Sequence, residues 1–244
     1  MRVAKIILLS GILLQALKAF STPGGDIPLT SVWVNIKPVF GNQPLLLETQ
    51  NYVNQNGDTL QIDRFRFYLS GFELIYADGS VYKEKESYHL VDPSELSSLM
   101  INLSEVPRGE ISSIRFNIGV DSIKSVSGAF GGDLDPANGM YWAWNSGYIH
   151  AKLEGRSKKC NTHGNAFEFH VGGFSGDENA IRKVELKVNP AMAGQLSQTI
   201  IITADAMKWF EGISLAKENS IVTPGSKAVK LADTYSGMFK IEGQ

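Results

Sequence analysis

A chain of 244 residues with 43% hydrophobic and 20% charged residues has ordinary globular composition and enough apolar material for a sizeable core. Its formal net charge of −2 shows no excess of basic residues, so neither nucleic acid nor an anionic membrane surface is an expected partner. Cys160 is the only cysteine, which excludes an internal disulfide and leaves stability to the packing of the core.

The N-terminus predicts export. Residues 1–5 carry two basic side chains, residues 6–17 form an apolar run, and residues 19–21 include the small side chains that a signal peptidase reads. The run is too short for a stable membrane span, so we predict a cleaved signal peptide over 1–21, a flexible leader over 22–29 and no span after cleavage. Cleavage removes three of the 23 basic residues and none of the 25 acidic ones, for a net charge of −5. The expected location is extracytoplasmic, either periplasmic or secreted.

Alternation of apolar and polar residues with period two predicts half-buried β-strands through the rest of the chain. Turn residues separate the strands, and Asp78-Gly79 between two alternating runs is a strong hairpin signal. The expected strands cover residues 32–36, 60–69, 72–76, 81–82, 114–118, 148–153, 167–171, 184–188 and 199–203.

Helical patterning is sparse. Short helices are expected over residues 93–99, 206–210 and 231–239, as accessories to the sheets. No break in composition divides the chain after the leader, so we predict one domain over 30–244. The fold class is all-β, an antiparallel β-sandwich with a few short accessory helices.

Residues 135–148 carry the most distinctive pattern, two tryptophans one residue apart in a loop rich in Gly, Asp and Asn. An indole is costly to leave in water, and its N–H needs a partner when it is buried. Trp142 and Trp144 are therefore either aromatic plugs at one end of the sandwich or part of a site. An intact indole nitrogen has no lone pair for a metal, so in a metal site these side chains form a wall or are chemically altered first.

Three of the four histidines lie within residues 150–170, and imidazole is a common ligand for copper and zinc. Strand parity places His150 and Lys152 on the face opposite Ala151 and Leu153. It likewise places His170 opposite the apolar residues of its own strand. If the two strands pair, both imidazoles leave the core within ligand reach of each other. The alternative is two unrelated histidines that face solvent.

Other patterns are weaker. Cys160 and His163 have a Cys-x-x-His spacing that suits copper or zinc, although a structural zinc site would want more cysteines. The oxygen-rich residues 133–139 lack the spacing of an EF-hand and are equally well explained by turn chemistry. Motifs for a nucleophile, a zinc protease or a phosphate loop are missing from the sequence, so we do not expect an enzyme.

Five segments resemble, in order, the signatures of the MbnP-like copper-binding domain family. They are FRFYLSGFEL followed by Asp78-Gly79, FNIGVD, LDPANGMYWAWNSGY, KLEG and FEFHVGG, which begin at residues 65, 116, 134, 152 and 167. The resemblance spans residues 30–240. It implies an exported all-β sandwich that binds copper for acquisition, storage or redox handling.

The resemblance also implies how copper is held. Related copper proteins of methane-oxidising bacteria use histidines and a kynurenine made by oxidising a tryptophan, and a di-haem cytochrome c peroxidase-like partner is implicated in that oxidation. By this resemblance His170 is a ligand, and Trp142 or Trp144 is the residue to be modified. In those proteins a ligand histidine lies two residues from the modified tryptophan. No histidine holds that position here, so His150 or His163 would have to substitute.

A different class of function stays open at this point. The chain could be a secreted module for non-metal ligand binding or adhesion, with its paired tryptophans stacked on a sugar or on another protein. Burial of both indoles would count against that alternative.

Overall fold

The computed structural model describes residues 29–128, 130–144, 147–189 and 198–243. The predicted signal peptide, and all but the last residue of the predicted leader, lie outside this range. Among the described residues no helix has the length and apolar character needed to cross a membrane.

Strands dominate the structure, as the period-two patterning predicts. The described part of the chain contains β1 (Leu29–Phe40), β2 (Gln43–Pro44), β3 (Asn51–Val53), β4 (Thr59–Tyr76), β5 (Val81–Lys83), β6 (Tyr88–Val91), β7 (Met100–Pro107), β8 (Ile111–Ile118), β9 (Tyr141–Trp142), β10 (Gly147–Arg156), β11 (Ala166–Gly172), β12 (Arg182–Lys187), β13 (Gln198–Asp205), β14 (Ser220–Ile221) and β15 (Phe239–Ile241).

The smaller sheet has the order β15-β13-β1. On the other edge of β1, β7 pairs with its first part and β2 pairs with its last two residues. The β1–β13 pair is parallel, as is the short β11–β14 pair, so the sandwich is mixed rather than purely antiparallel. A parallel pair needs a long crossover, and here most of the larger sheet lies between β1 and β13 in the chain. Alternation of apolar residues shows which face of a strand is buried but carries no information about the direction of its neighbour.

The larger sheet is built on β4, which unites the predicted strands 60–69 and 72–76. Gly71 adopts φ +61° inside β4, where the pairing with β8 is irregular, so the chain bulges there without turning. One edge of β4 pairs first with β10 and then with β8, which lie end to end. The opposite edge pairs with β3, β6 and β5. β11 pairs with the free edge of β10.

The core lies between the two sheets and is largely aromatic. Trp209 stacks on Tyr235 with ring centroids 4.4 Å apart, and its indole N–H donates to the sulfur of Met238. Phe239 from the smaller sheet meets the rings of Phe67 and Phe116 edge to face. This packing of one sheet on the other confirms the predicted all-β sandwich.

Helices are short, as expected. Leu96–Leu99 is a 3-10 helix within the predicted range 93–99, and Ala206–Phe210 is a 3-10 helix that coincides with the predicted range 206–210. The described α-helices are α1 (Ser122–Val126) and α2 (Ser226–Tyr235). The third predicted helix overlaps α2 and the 3-10 helix Ser236–Met238 that follows it, but α2 already begins at Ser226 and Phe239 belongs to β15.

Candidate functional site

A second apolar cluster covers the outer face of the larger sheet and carries the tryptophan loop. Tyr68 from β4 and Tyr148 from β10 meet edge to face at 5.7 Å. Their hydroxyls donate to the carbonyl oxygens of Asp133 and Leu134 at 2.9 and 2.8 Å. The loop before β9 is therefore hydrogen bonded to the sheet beneath it.

Two cations fix the last turn of this loop. Arg66 Nη1 donates to the carbonyl oxygen of Asn138 at 2.9 Å, and Lys152 Nζ donates to that of Gly139 at 2.6 Å. Asp135 caps the same turn by accepting from the backbone N–H of Ala137 at 2.8 Å. The oxygen-rich residues 133–139 thus take part in turn formation. This agrees with the absence of EF-hand spacing in that segment.

Trp142 and Trp144 differ sharply in environment. Trp142 pairs with Gly147 across β9 and β10 and is only 6% exposed, whereas Trp144 is 66% exposed. Their ring centroids lie 5.9 Å apart with the planes inclined at 49°. Trp142 therefore packs on the sheet as an aromatic plug, whereas the indole of Trp144 is open to solvent. The two tryptophans have different environments, so each needs its own interpretation.

The Trp142 ring lies directly on Gly172 at the end of β11. A Cβ at this position would stand 2.5 Å from Cζ3 of Trp142 and 2.6 Å from the carbonyl oxygen of Tyr148. Only glycine fits at position 172, because the indole occupies the space that a side chain would need.

His170 lies two residues before Gly172 on the same face of β11. Alternation along a strand separates such neighbours by about 7 Å. The register pairs His170 with Lys152, and His170 Nε2 lies 2.8 Å from Oε1 of Glu154. His170 and Trp142 thus share the outer face of the sheet, with Trp142 over Gly172 and the imidazole bonded to Glu154 on the other side of His170.

Glu154 joins three basic side chains. Its other oxygen accepts from Arg64 Nη1 at 2.8 Å, and Lys152 Nζ lies 3.9 Å from Oε1. The hydrogen bond with His170, followed by the one with Arg64, lowers the pKa of Glu154 to about 2 although its burial opposes the shift. Glu154 is therefore a carboxylate throughout the neutral range.

His150 fills the junction where β8 and β10 meet end to end along β4. A Cβ on Gly119, which adopts φ +117°, would stand 2.7 Å from Cγ of the imidazole. The ring is fully buried and neither nitrogen forms a hydrogen bond. Burial lowers the pKa of His150 to about 4, and the nearby backbone of Ala180 and Val120 offsets only part of that shift.

The predicted convergence of His150 and His170 is not found. Strand parity correctly places Ala151 and Leu153 in the main core, but a bulge interrupts the β10–β11 pairing between Ile149 and Ala151. His150 consequently packs on the end of β8, whereas His170 bonds further along β10.

His163 lies still farther away. It is exposed in the connection between β10 and β11, at the end of the hairpin opposite β9. Four residues of β11 already separate His170 from Ala166 at this end of the hairpin, about 13 Å, which is beyond the reach of a shared coordination sphere. Cys160 in the same connection is buried, and burial raises the pKa of its thiol. Within the described ranges no three His, Cys, Asp or Glu side chains cluster closely enough to hold a metal ion.

Comparison with known proteins settles the family. The MbnP family model matches residues 30–224, most of the chain. The chain belongs to the MbnP family. A solved structure of MbnP from Methylosinus trichosporium superposes with a TM-score of 0.58 over 81% of this chain and 82% of that one, at 15% identity. Since so low an identity supports the fold alone, the MbnP fold is shared while the site chemistry has to be argued from this chain. No curated protein matches.

Sequence reasoning missed three residues that shape this MbnP-family site. Glu154 lies within the KLEG signature, two residues after Lys152, so strand alternation places it on the outer face. Alternation alone does not show that its carboxylate bonds to His170. Gly119 and Gly172 were visible only as small residues. Nothing in the sequence shows that an imidazole packs on the first and an indole on the second.

Proposed function

We propose that this MbnP-family protein is exported and binds copper for acquisition, storage or redox handling. The observation that carries the proposal is the placement of Trp142 on Gly172, beside His170 on the same strand face. A tryptophan and a histidine brought together on one surface are the two residue types that the family resemblance associates with copper.

At this corner His170 has the chemistry of a copper ligand as it stands, whereas Trp142 would gain it only on oxidation. An imidazole binds copper through an unprotonated nitrogen, and in the described part of the chain no hydrogen bond reaches His170 Nδ1. Oxidative opening of the Trp142 indole would supply an aryl amine and carbonyl groups as further donors. His150, with both nitrogens unpartnered, is a ligand only if its ring leaves Gly119.

Copper uptake tests this proposal. We expect the purified full chain to take up a single copper ion and His170→Ala to abolish uptake, because the variant removes the imidazole beside Trp142. Isothermal titration with copper, under conditions that stabilise each oxidation state in turn, measures this. His163→Ala is the matched control, since that histidine is exposed at the far end of the hairpin. Equal uptake by wild type and His170→Ala would remove His170 from the site.

We further propose that Trp142, rather than Trp144, is the residue oxidised to kynurenine, with a di-haem cytochrome c peroxidase-like protein as oxidant. In that reaction the chain is the substrate, and we assign it no catalytic role of its own. The haem partner would use two equivalents of peroxide to add two oxygen atoms across the indole C2–C3 bond, which breaks. Hydrolysis would then release the C2 carbon as formate, so that the chain loses one carbon and gains one oxygen, about 4 Da in all. The proposal is supported by the contact of the buried Trp142 ring with Gly172 on the His170 strand, whereas Trp144 is 66% exposed.

Intact mass of protein recovered after export from its native host should show this increase. We expect Trp144→Phe to keep the increase and Trp142→Phe to lose it. The opposite assignment would move the modified residue to the exposed indole, and no increase in any sample would refute the oxidation.

Exposure of Trp144 favours a second candidate function. A 66% exposed indole next to a buried one offers a stacking surface for a sugar or another protein. Glycan-array binding that is lost in Trp144→Ala, in a chain that takes up no copper, would support this adhesion function.

A further inference from the structure

We propose that Glu154 is a positioning residue that holds the Nε2–H of His170, so that His170 presents Nδ1 as its copper ligand. The metal part of this inference rests on the proposed copper function. The assignment of the proton rests on the geometry of the metal-free chain alone.

The hydrogen bond between the two side chains determines which nitrogen carries the proton. His170 Nε2 lies 2.8 Å from Glu154 Oε1, and the Glu154 side chain is only 17% exposed. A carboxylate can only accept a hydrogen bond, so the neutral imidazole must carry its proton on Nε2. The lone pair is then on Nδ1, which no hydrogen bond from the described residues reaches.

The neighbours of Glu154 keep it in this role. Its second oxygen is occupied by Arg64 at 2.8 Å, which holds the carboxylate in place. Lys152, the direct cross-strand neighbour of His170, donates at 2.6 Å to the carbonyl oxygen of Gly139. Lys152 therefore secures the tryptophan loop, while Glu154, the diagonal neighbour, secures the imidazole.

A carboxylate that accepts from the second nitrogen of a ligand histidine fixes the ring and raises its basicity. Loss of such a partner typically weakens metal binding by about 10- to 100-fold. Glu154→Ala is therefore expected to weaken copper binding by that factor while leaving the histidine itself in place.

The proton assignment is read by nitrogen-detected NMR of 15N-histidine-labelled wild-type protein, without metal, at about pH 8, where imidazole is ordinarily neutral. The expected His170 spectrum has a protonated Nε2 and an unprotonated Nδ1. Addition of Cu(I) should then shift Nδ1 and leave Nε2 protonated. A proton on Nδ1, a doubly protonated ring, or copper on Nε2 would each overturn the inference.

A matched pair of variants tests the role of Glu154. Glu168→Ala removes the same charge from the residue directly opposite Glu154 on the same face, and Glu168 is exposed and not hydrogen bonded to His170. We expect Glu154→Ala to mix the two neutral forms of His170 and to weaken copper binding, and Glu168→Ala to change neither. Equal effects of both variants would reduce Glu154 to a general electrostatic role and overturn the inference.

The two proposals fail in different ways. If wild-type protein shows the expected His170 spectrum but ignores copper in both oxidation states, the proposed function is wrong and the proton assignment stands. If copper binds with Nε2 of His170 unprotonated, the proposed function stands and the role of Glu154 is wrong.

Discussion

Gly172→Ala is expected to displace the Trp142 ring from the sheet and to lower the free energy of unfolding by about 3 kcal/mol, the upper end of the usual cost of overpacking. The new methyl group would stand 2.5 Å from the Trp142 ring and 2.6 Å from the carbonyl oxygen of Tyr148. The ring can swing away, but the backbone oxygen can move only if β10 and β11 separate. Both the indole and the strand pairing should therefore be disturbed.

Urea denaturation measures the stability of this variant, and acrylamide quenching of tryptophan fluorescence measures the release of the indole. Quenching should rise because Trp142 is only 6% exposed in the native chain. Gly131→Ala is the matched control, since a Cβ there would have no neighbour within 4 Å and the backbone does not need a positive φ. Wild-type stability and quenching in Gly172→Ala would show that the indole does not pack on β11.

Strands were predictable where apolar and polar residues alternate along the chain, so that one face of the strand is apolar and the other polar. The expected strands at 114–118 and 167–171 lie within β8 and β11, because burial on one side of a pleated sheet imposes period two. β7 was missed. Ile101 and Leu103 do point inward, but Glu105 adopts φ +56° and interrupts the alternation before Val106.

The positions of the candidate site residues were predictable only in part. Trp142 and His170 lie on the same outer face of the sheet, since β9 and β11 both pair with β10 and the Trp142 ring lies on Gly172 of β11. His150 does not join them because a single bulge shifts the parity of β10. A bulge depends on how strands fit together in three dimensions, and the local sequence around residues 149–151 carries no signal for it. Side-chain bonds such as Glu154 with His170 likewise depend on a register that the sequence leaves open.

His150 is expected to make the metal-free protein sensitive to acid. Its pKa falls from an ordinary value of 6.5 to about 4 in the folded chain, chiefly because burial disfavours the charged ring. The charged group that acts on it is Arg182, which also lowers the pKa. The unfolded chain therefore binds a proton that the folded chain excludes. The contribution to stability is complete above about pH 6.5 and is lost as the pH falls toward 4, by about 3 kcal/mol in all.

His150→Leu should flatten this part of the pH dependence, because leucine fills a similar volume and cannot be protonated. Urea denaturation of the chelator-treated protein at pH 7, 6, 5 and 4 is the measurement, and the quantity to compare is the loss of unfolding free energy between the two ends of the range. His163→Gln is the matched control, since an exposed histidine should leave that loss unchanged. The same loss in His150→Leu as in wild type would mean that the ring is reached by water, and then the junction of β8, β10 and β4 is more open than its packing on Gly119 implies.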